Sequence, residues 1–377
     1  MRIVFAGGGT GGHLYPGLAI ARAVARLEPR ARPFFVGARR GIERDVLPGT
    51  GFEHLLLDLH PLYRARPWEN WRTLAGLAGA WRAIGRAMRG EPPRVVVGTG
   101  GYASGAMLAW GVMHGAPIAL QEQNSFPGIT TRLFSRRARE IYLGYGEARR
   151  LLHPAAGAWV GETGNPIAPP PEPRPDRAAA RRRWRFPERG GTVLLIVGGS
   201  QGARAVNEVV DAWIARGVPD GLYVIWGTGK SGYERFAPRE GERVRVVPYL
   251  SPIEHAYAAA DLAVARAGAL TLAELCAWGI PPVLVPLPTA AADHQTANAR
   301  ALASAEAAVL LPQAELTVDR LDAVLRSLAG EPARLAALAA RTAARGRPHA
   351  AEDIAERLLN LAHVEQLRDL RGAARQQ

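Results

Sequence analysis

Residues Met1 to Gly17, MRIVFAGGGTGGHLYPG, constrain this chain more than any other stretch, because an apolar run breaks into a glycine cluster and then takes up a helical pattern. The order is strand, tight loop, helix. Glycines at 7, 8, 9, 11 and 12 carry no Cβ to hold backbone N–H groups away from a bound anion, and a helix opening near Pro16 aims its positive end at the same spot. A phosphate group fits such a place. Thr10 offers a hydroxyl donor there, and His13, at the lip of the loop, is the one side chain in this stretch whose ordinary pKa lies near neutrality.

The spacing of Gly7, Gly9 and Gly12 also satisfies the dinucleotide fingerprint, which further requires an acid at the end of the second strand to hold a ribose. The second strand is expected over Pro33 to Val36, followed by Gly37, Ala38, Arg39 and Arg40. No acid stands there, although an arginine suits a 2′-phosphate. An NADP enzyme is weakened rather than excluded.

A chain of 377 residues is long for one doubly wound domain and comfortable for two. Its single cysteine, Cys276, excludes an internal disulfide and a cysteine zinc site, and its apolar helical setting, TLAELCAWG, reads as core. No secretory leader precedes the first strand and no apolar run is long enough to cross a bilayer, so a cytosolic protein is expected. The formal charge of +13 calls for an anionic partner: nucleic acid, a phosphorylated substrate or an anionic membrane. Neither zinc spacing nor an RNA-binding signature favours nucleic acid.

Apolar runs alternate with helical stretches through PFFVG, HLLLD, RVVVG, PIALQ and EIYLG, which predicts an α/β fold: a parallel sheet covered on both faces, with ligands at the carboxyl ends of its strands. From His60 to Gly90 a helical reading puts Trp71, Leu74, Ala78, Trp81, Ile84 and Met88 near one face, with Arg64, Arg66, Arg72, Arg82, Arg86 and Arg89 around it. This is either a helix packed on the sheet with a solvated arginine edge or, for a lipid-linked substrate, a patch that dips into an anionic leaflet. In RVVVGTGGYASG, Gly98, Gly100 and Gly101 permit close backbone approach, and Tyr102 and Ser104 can bond a sugar or phosphate; a tight helix–sheet junction is the plainer alternative. Glu122, Gln123 and Asn124, just past the strand Pro117 to Leu120, suit a polyhydroxylated ligand or a polar turn.

Prolines at 166, 169, 170, 171, 173 and 175 make Gly161 to Arg177 the clearest boundary. The strand TVLLIV then repeats the opening design with Gly198, Gly199, Ser200, Gln201 and Gly202. Farther on, the strand Leu262 to Ala265 ends at Arg266, and Gly268, Ala269 and Leu270 open a helix near Thr271, a second anion site with Glu274 one turn in. Asp293, His294, Gln295 and Asn298 either cap a helix or grip a sugar. From Ala301 onward the pattern is helical scaffold, its last helix, Ala351 to Leu361, returning to the first domain, with a frayed tail after His363.

GGGTGGHLYPGLA, GTGGYASG, EQNSFPG, GNP, VGGSQGARAVN, RAGALTLAEL and PLPTAAADHQTANA follow one another in the order found in the MurG family, the bacterial N-acetylglucosaminyltransferases of peptidoglycan synthesis, and the chain resembles that family over nearly its whole length. The resemblance implies a B-type glycosyltransferase: two Rossmann-like domains facing across a cleft, over residues 1–163 (with a returning helix at 345–365) and 164–344, and a tail at 366–377. It implies inverting transfer of N-acetylglucosamine from UDP-N-acetylglucosamine to the 4-hydroxyl of undecaprenyl-diphospho-N-acetylmuramoyl-pentapeptide. It also implies a peripheral place on the cytoplasmic face of the membrane, with an anionic membrane surface as partner and neither cofactor nor nucleic acid.

Carried over by motif, Ser200, Leu250, Ala269, Leu270, Thr271, Glu274 and Gln295 hold the nucleotide, Glu274 on its ribose. Thr10, Gly11, Gly12 and Asn124 touch the donor sugar or the acceptor diphosphate, and Gly9, His13, Gly100, Gly101, Tyr102, Glu122 and Gln123 line the acceptor side. His13 is the expected base, with Glu122 second. A lipid-linked acceptor favours the membrane reading of the tryptophan–arginine segment, with Trp71, Leu74, Trp81 and Ile84 as contacts. No Asp-x-Asp occurs, so no metal is expected, and the helices after Ser200 and Gly268 take the charge of the leaving diphosphate. The chain departs from the family at GNPIA, where many relatives have GNPVR: Ala168 replaces a donor-binding arginine, and Arg174 and Arg266 are the candidate substitutes. The rivals are a related glycosyltransferase or UDP-sugar epimerase with a soluble substrate, an NADP oxidoreductase, and a non-catalytic nucleotide-sugar binder.

Overall fold

The structure, a computed structural model, describes residues 1–59, 70–198 and 203–374; for 70–75 and 365–374 it describes the backbone alone. The chain divides into two compact units, Met1–Ala168 with His349–Gln377, and Pro169–Pro348. The break falls inside the proline-rich run, where each X–Pro step keeps the backbone out of helix.

In the first unit β1 (Arg2–Gly7), β2 (Arg32–Ala38), β3 (Glu53–Leu57), β4 (Val95–Gly100), β5 (Ile118–Glu122), β6 (Ala138–Leu143) and β7 (Trp159–Glu162) form a sheet in the order β3-β2-β1-β4-β5-β6-β7. Every pairing is parallel. Side chains alternate along a strand, so Val4 and Ala6 join one core with Val36, Ile84 and Met88, while Ile3 and Phe5 join another with Leu14, Leu18 and Ile354. Strand order reverses between β1 and β4, and the crevice beyond such a switch point is where open α/β sheets take ligands.

The second unit repeats the plan with β8 (Thr192–Val197), β9 (Leu222–Gly227), β10 (Val244–Val247), β11 (Leu262–Ala265), β12 (Pro282–Leu284) and β13 (Val309–Leu310), ordered β10-β9-β8-β11-β12-β13. Its pairings are parallel too, and its switch point lies between β8 and β11. The sequence pattern does not reveal β7 or β13. Both are short edge strands, too brief for an alternation to register.

Three helices differ from expectation. The first, Gly11–Leu27, opens at Gly11 and carries Pro16 inside it. The last runs Ala350–Ala374, so the backbone stays helical well past His363. It packs on the first helix, with Ile354, Ala355, Leu358 and Ala362 fully buried, while the Arg357 guanidinium lies 3.5 Å over the Trp159 ring and bonds Glu140 Oε2 at 2.9 Å. The third is Asn70–Met88, which turns Ile84 and Met88 into the core on the sheet and leaves Arg82, Arg86 and Arg89 exposed. Ile84 is 0% exposed, so it is corrected from membrane contact to core residue; Trp81 is half-buried, its ring centroid 6.2 Å from that of His114. The side chains of Trp71 and Leu74, like Arg64 and Arg66, lie outside the described residues. No described helix is long and apolar enough to cross a membrane.

Candidate active site

Past the carboxyl ends of β1 and β4, two glycine loops meet backbone to backbone. Gly101 has φ +75°, and a Cβ on it would collide with the Gly8 carbonyl oxygen, so only glycine allows this approach. The His13 ring rests on the same spot: a Cβ on Gly100 would stand 2.8 Å from His13 Cδ2, and Gln123 Oε1 lies 3.6 Å from that position. Thr99 Oγ1 donates to the His13 carbonyl at 2.8 Å, clamping the first helical turn to the end of β4. Thr10 is the helix N-cap, but its hydroxyl meets His13 Nδ1 at 3.1 Å instead of capping an amide. Tyr102 opens the helix Tyr102–Met113, and its ring edge covers Gly9.

The amides of Gly11 and Gly12 begin a helix of 17 residues and have no carbonyl a turn earlier within it, so they present the positive end expected for a phosphate. The Gly9 amide does not take part. It donates to Glu43 Oε1 at 2.9 Å, and the same oxygen accepts from Ala38 N at 3.1 Å. Glu43 is 0% exposed, and sequence reasoning missed it. Glu43 is folded beneath the loop, so it does not supply the acid that would face a ribose beyond β2.

Glu122, 3% exposed, braces the next loop: Oε1 accepts from Asn124 N at 3.1 Å and from Asn124 Nδ2 at 3.4 Å, and Oε2 accepts from Gly128 N at 3.0 Å. Burial pushes its carboxyl above the usual range, against the pull of hydrogen bonds from Thr131, Asn124 and Gly128. Gln123, 2% exposed, donates to Thr99 O at 2.8 Å and Gln121 O at 3.0 Å, and its carbonyl takes Asn165 Nδ2 at 2.9 Å. These side chains support the site from below. The buried Asn165 belongs to the GNP motif, the one signal that could have marked it.

In the second unit Gly268 caps the helix Ala269–Trp278, so Ala269, Leu270 and Thr271 supply its free first-turn amides. Glu274 follows on that helix and accepts from Tyr257 Oη at 2.7 Å. Burial raises its pKa; the Tyr257 hydrogen bond lowers it and the charge of Glu254 raises it further. Gln295 Oε1 takes Leu287 N at 3.0 Å, and the buried Asn298 donates to Ala267 O at 3.3 Å, so it secures the loop before Gly268 rather than facing a sugar. Leu250 is 7% exposed and packs against Gly227. Ser200 and its neighbours Gly199, Gln201 and Gly202 lie outside the described residues.

Arg174 and Arg266, the expected substitutes for a donor-binding arginine at Ala168, each have partners of their own. Arg266 donates to the carbonyls of Val285 and Pro286, each at 3.0 Å, and to Gln313 Oε1 at 2.7 Å, while Arg174 donates to Ala277 O at 2.9 Å and stacks over Trp278. Both guanidiniums are therefore engaged within the second unit. Cys276 is buried, which pushes its thiol up to about 12, as befits a core residue. Among the described residues no group of three His, Cys, Asp or Glu could hold a metal ion.

Residues 3–143 match the glycosyltransferase family 28 N-terminal domain and 193–358 its C-terminal domain. A UDP-N-acetylglucosamine--N-acetylmuramyl-(pentapeptide) pyrophosphoryl-undecaprenol N-acetylglucosamine transferase from Salinibacter ruber is 42% identical, over 96% of each chain. A protein of the same name from Prosthecochloris aestuarii is 39% identical, over 97% of this chain and all of its own. The crystal structure of Acinetobacter baumannii MurG superposes with a TM-score of 0.76 at 26% identity, covering 95% of this chain and 99% of that one. Two parallel α/β units, each with its glycine-bounded helix start, and full-length kinship with these transferases place the chain in the MurG family of B-type glycosyltransferases.

Proposed function

We propose that this chain transfers N-acetylglucosamine from UDP-N-acetylglucosamine to the 4-hydroxyl of undecaprenyl-diphospho-N-acetylmuramoyl-pentapeptide. The observation that carries this reading is His13, held by Thr10 at 3.1 Å beside the open amides of Gly11 and Gly12. Those amides and Thr10 take the acceptor diphosphate or the donor sugar, and Tyr102 lies against the acceptor. In an inverting displacement the acceptor oxygen attacks C1 as its proton passes to His13 Nε2, and the bond from C1 to the UDP oxygen breaks with its electron pair. A base in that role contributes about 10²–10⁴-fold. Glu122 holds its loop with both oxygens, so the base role rests on His13.

On the donor side the first-turn amides of Ala269, Leu270 and Thr271 take the charge that accumulates on the leaving diphosphate, and Glu274 receives the ribose hydroxyls. The acceptor chemistry asks for a membrane surface. Met113, Ile129 and Leu133 are exposed apolar side chains of the first unit, and Arg132, Arg136 and Arg137 are exposed around the last two, a composition suited to an anionic cytoplasmic leaflet.

Radiolabel transfer from UDP-N-acetylglucosamine to the lipid-linked acceptor tests the reading directly. Label should move into the lipid fraction, and transfer to soluble sugars or epimerisation of the donor should not occur. Conversion of the donor without label in lipid would return the assignment to a soluble-substrate enzyme or an epimerase.

A further inference from the structure

We infer that Tyr257 is a positioning residue for the donor ribose: its phenol aims the Glu274 carboxylate so that the site selects a ribonucleoside over a 2′-deoxyribonucleoside diphosphate. This rests on the ribose role given above to Glu274.

Tyr257 sits on the short helix Glu254–Ala259, which packs against the helix Ala269–Trp278. It is 3% exposed, its ring tilted 40° against Trp278 with centroids 5.6 Å apart, so the phenol has little freedom to turn away. From that fixed ring Oη donates to Glu274 Oε2 at 2.7 Å. A glutamate on its own has several rotatable bonds and samples many aims, and each is lost on binding. Pinning one oxygen from a rigid aromatic removes that cost and leaves the other oxygen to receive hydroxyls.

The electrostatics point the same way. Glu254, one turn before Tyr257, has a buried Oε2 without a hydrogen-bond partner, and its charge disfavours ionisation of Glu274, as burial does. The donated phenol O–H is the contact that favours the carboxylate. A protonated Glu274 would accept from a diol poorly, and the Tyr257 hydrogen bond favours the accepting form. The neighbouring hydroxyls of a ribose give such an oxygen two donors, and a 2′-deoxyribose gives one.

Tyr257→Phe removes one oxygen and keeps the ring on Trp278. The KM for UDP-N-acetylglucosamine should rise about ten- to a hundred-fold, the loss expected for one hydrogen bond to a charged group, with kcat and acceptor KM within about two-fold. Inhibition by UDP and by 2′-deoxy-UDP supplies the readout that a merely structural role would not move: the wild-type preference for UDP should shrink toward parity in Y257F. A preference that survives intact in Y257F overturns this inference alone. A wild-type protein indifferent to the 2′-hydroxyl overturns the ribose role of Glu274 together with it.

Discussion

Glu43 takes the Gly9 amide on its Oε1 at 2.9 Å and so ties the glycine loop down from beneath. The carboxylate fits only because its walls lack side chains: a Cβ on Gly8 or on Gly41 would collide with it, and one on Gly37 would stand 2.9 Å from its Cγ. Glu43→Ala strands the buried amide of Ala38 and the partly buried one of Gly9, and should cost about 2–4 kcal/mol of stability in denaturant titrations. Gly41→Ala displaces the carboxylate without removing it, and should lower kcat with nucleotide affinity retained. Wild-type turnover in G41A would show that the loop's aim does not depend on this brace.

The Thr10 hydroxyl and His13 Nδ1 form the other pair that fixes the reacting end. His13→Ala should lower kcat about 10²–10⁴-fold at little change in either KM, the signature of a lost general base. Thr10→Val keeps the shape and removes the hydroxyl, and should lower kcat about ten-fold, one hydrogen bond's worth. An unchanged kcat with a raised KM in H13A would make His13 a binding residue only.

The pH dependence of donor binding follows from Glu274. Burial raises its pKa above the ordinary 4.5, so the carboxylate that accepts ribose hydroxyls is lost as pH falls through that raised value, and donor KM should climb on the acid side sooner than an exposed glutamate would allow. Stability runs the opposite way. An acid whose folded pKa exceeds its unfolded one holds its proton more tightly when folded, so this group's contribution declines as pH rises from 4.5 through the folded value. Glu274→Gln should flatten both dependences, as read from donor KM and Tm between mildly acidic and neutral pH.

What the sequence displayed and what it hid divide along physical lines. The glycine loop, the Thr10–His13 spacing and the helix start at Gly268 are local, set by residues within a turn of one another, and they are legible as pattern. Glu43 reaches Gly9 across 34 residues, and Asn165 reaches Gln123 across 42; no periodicity encodes such pairings, which exist only once the strands lie side by side. Ile84 shows a different limit. Its helical face is apolar at the right interval, but an interval cannot say whether a sheet or a lipid covers that face, and here the sheet does. Pro16 misled for a related reason: proline marks a helix start when it comes first, and here it is carried within the helix.

That limit shapes the membrane prediction. Met113 and Leu133 are 73% and 67% exposed, the most open of the large apolar side chains among the described residues, whereas Ile84 is 0% exposed. Each apolar group that enters the headgroup boundary adds transfer free energy, and the arginines beside it add attraction to anionic lipid that salt screens. Leu133→Ser with Met113→Ser should therefore weaken flotation with anionic vesicles about ten-fold or more while the soluble fold keeps its Tm, since neither residue holds the core together. Ile84→Ala should do the reverse, costing about 2–5 kcal/mol of stability through the cavity it opens and leaving the vesicle affinity of the folded fraction unchanged. Undiminished flotation of the double serine variant at low salt would move the docking surface away from Met113 and Leu133.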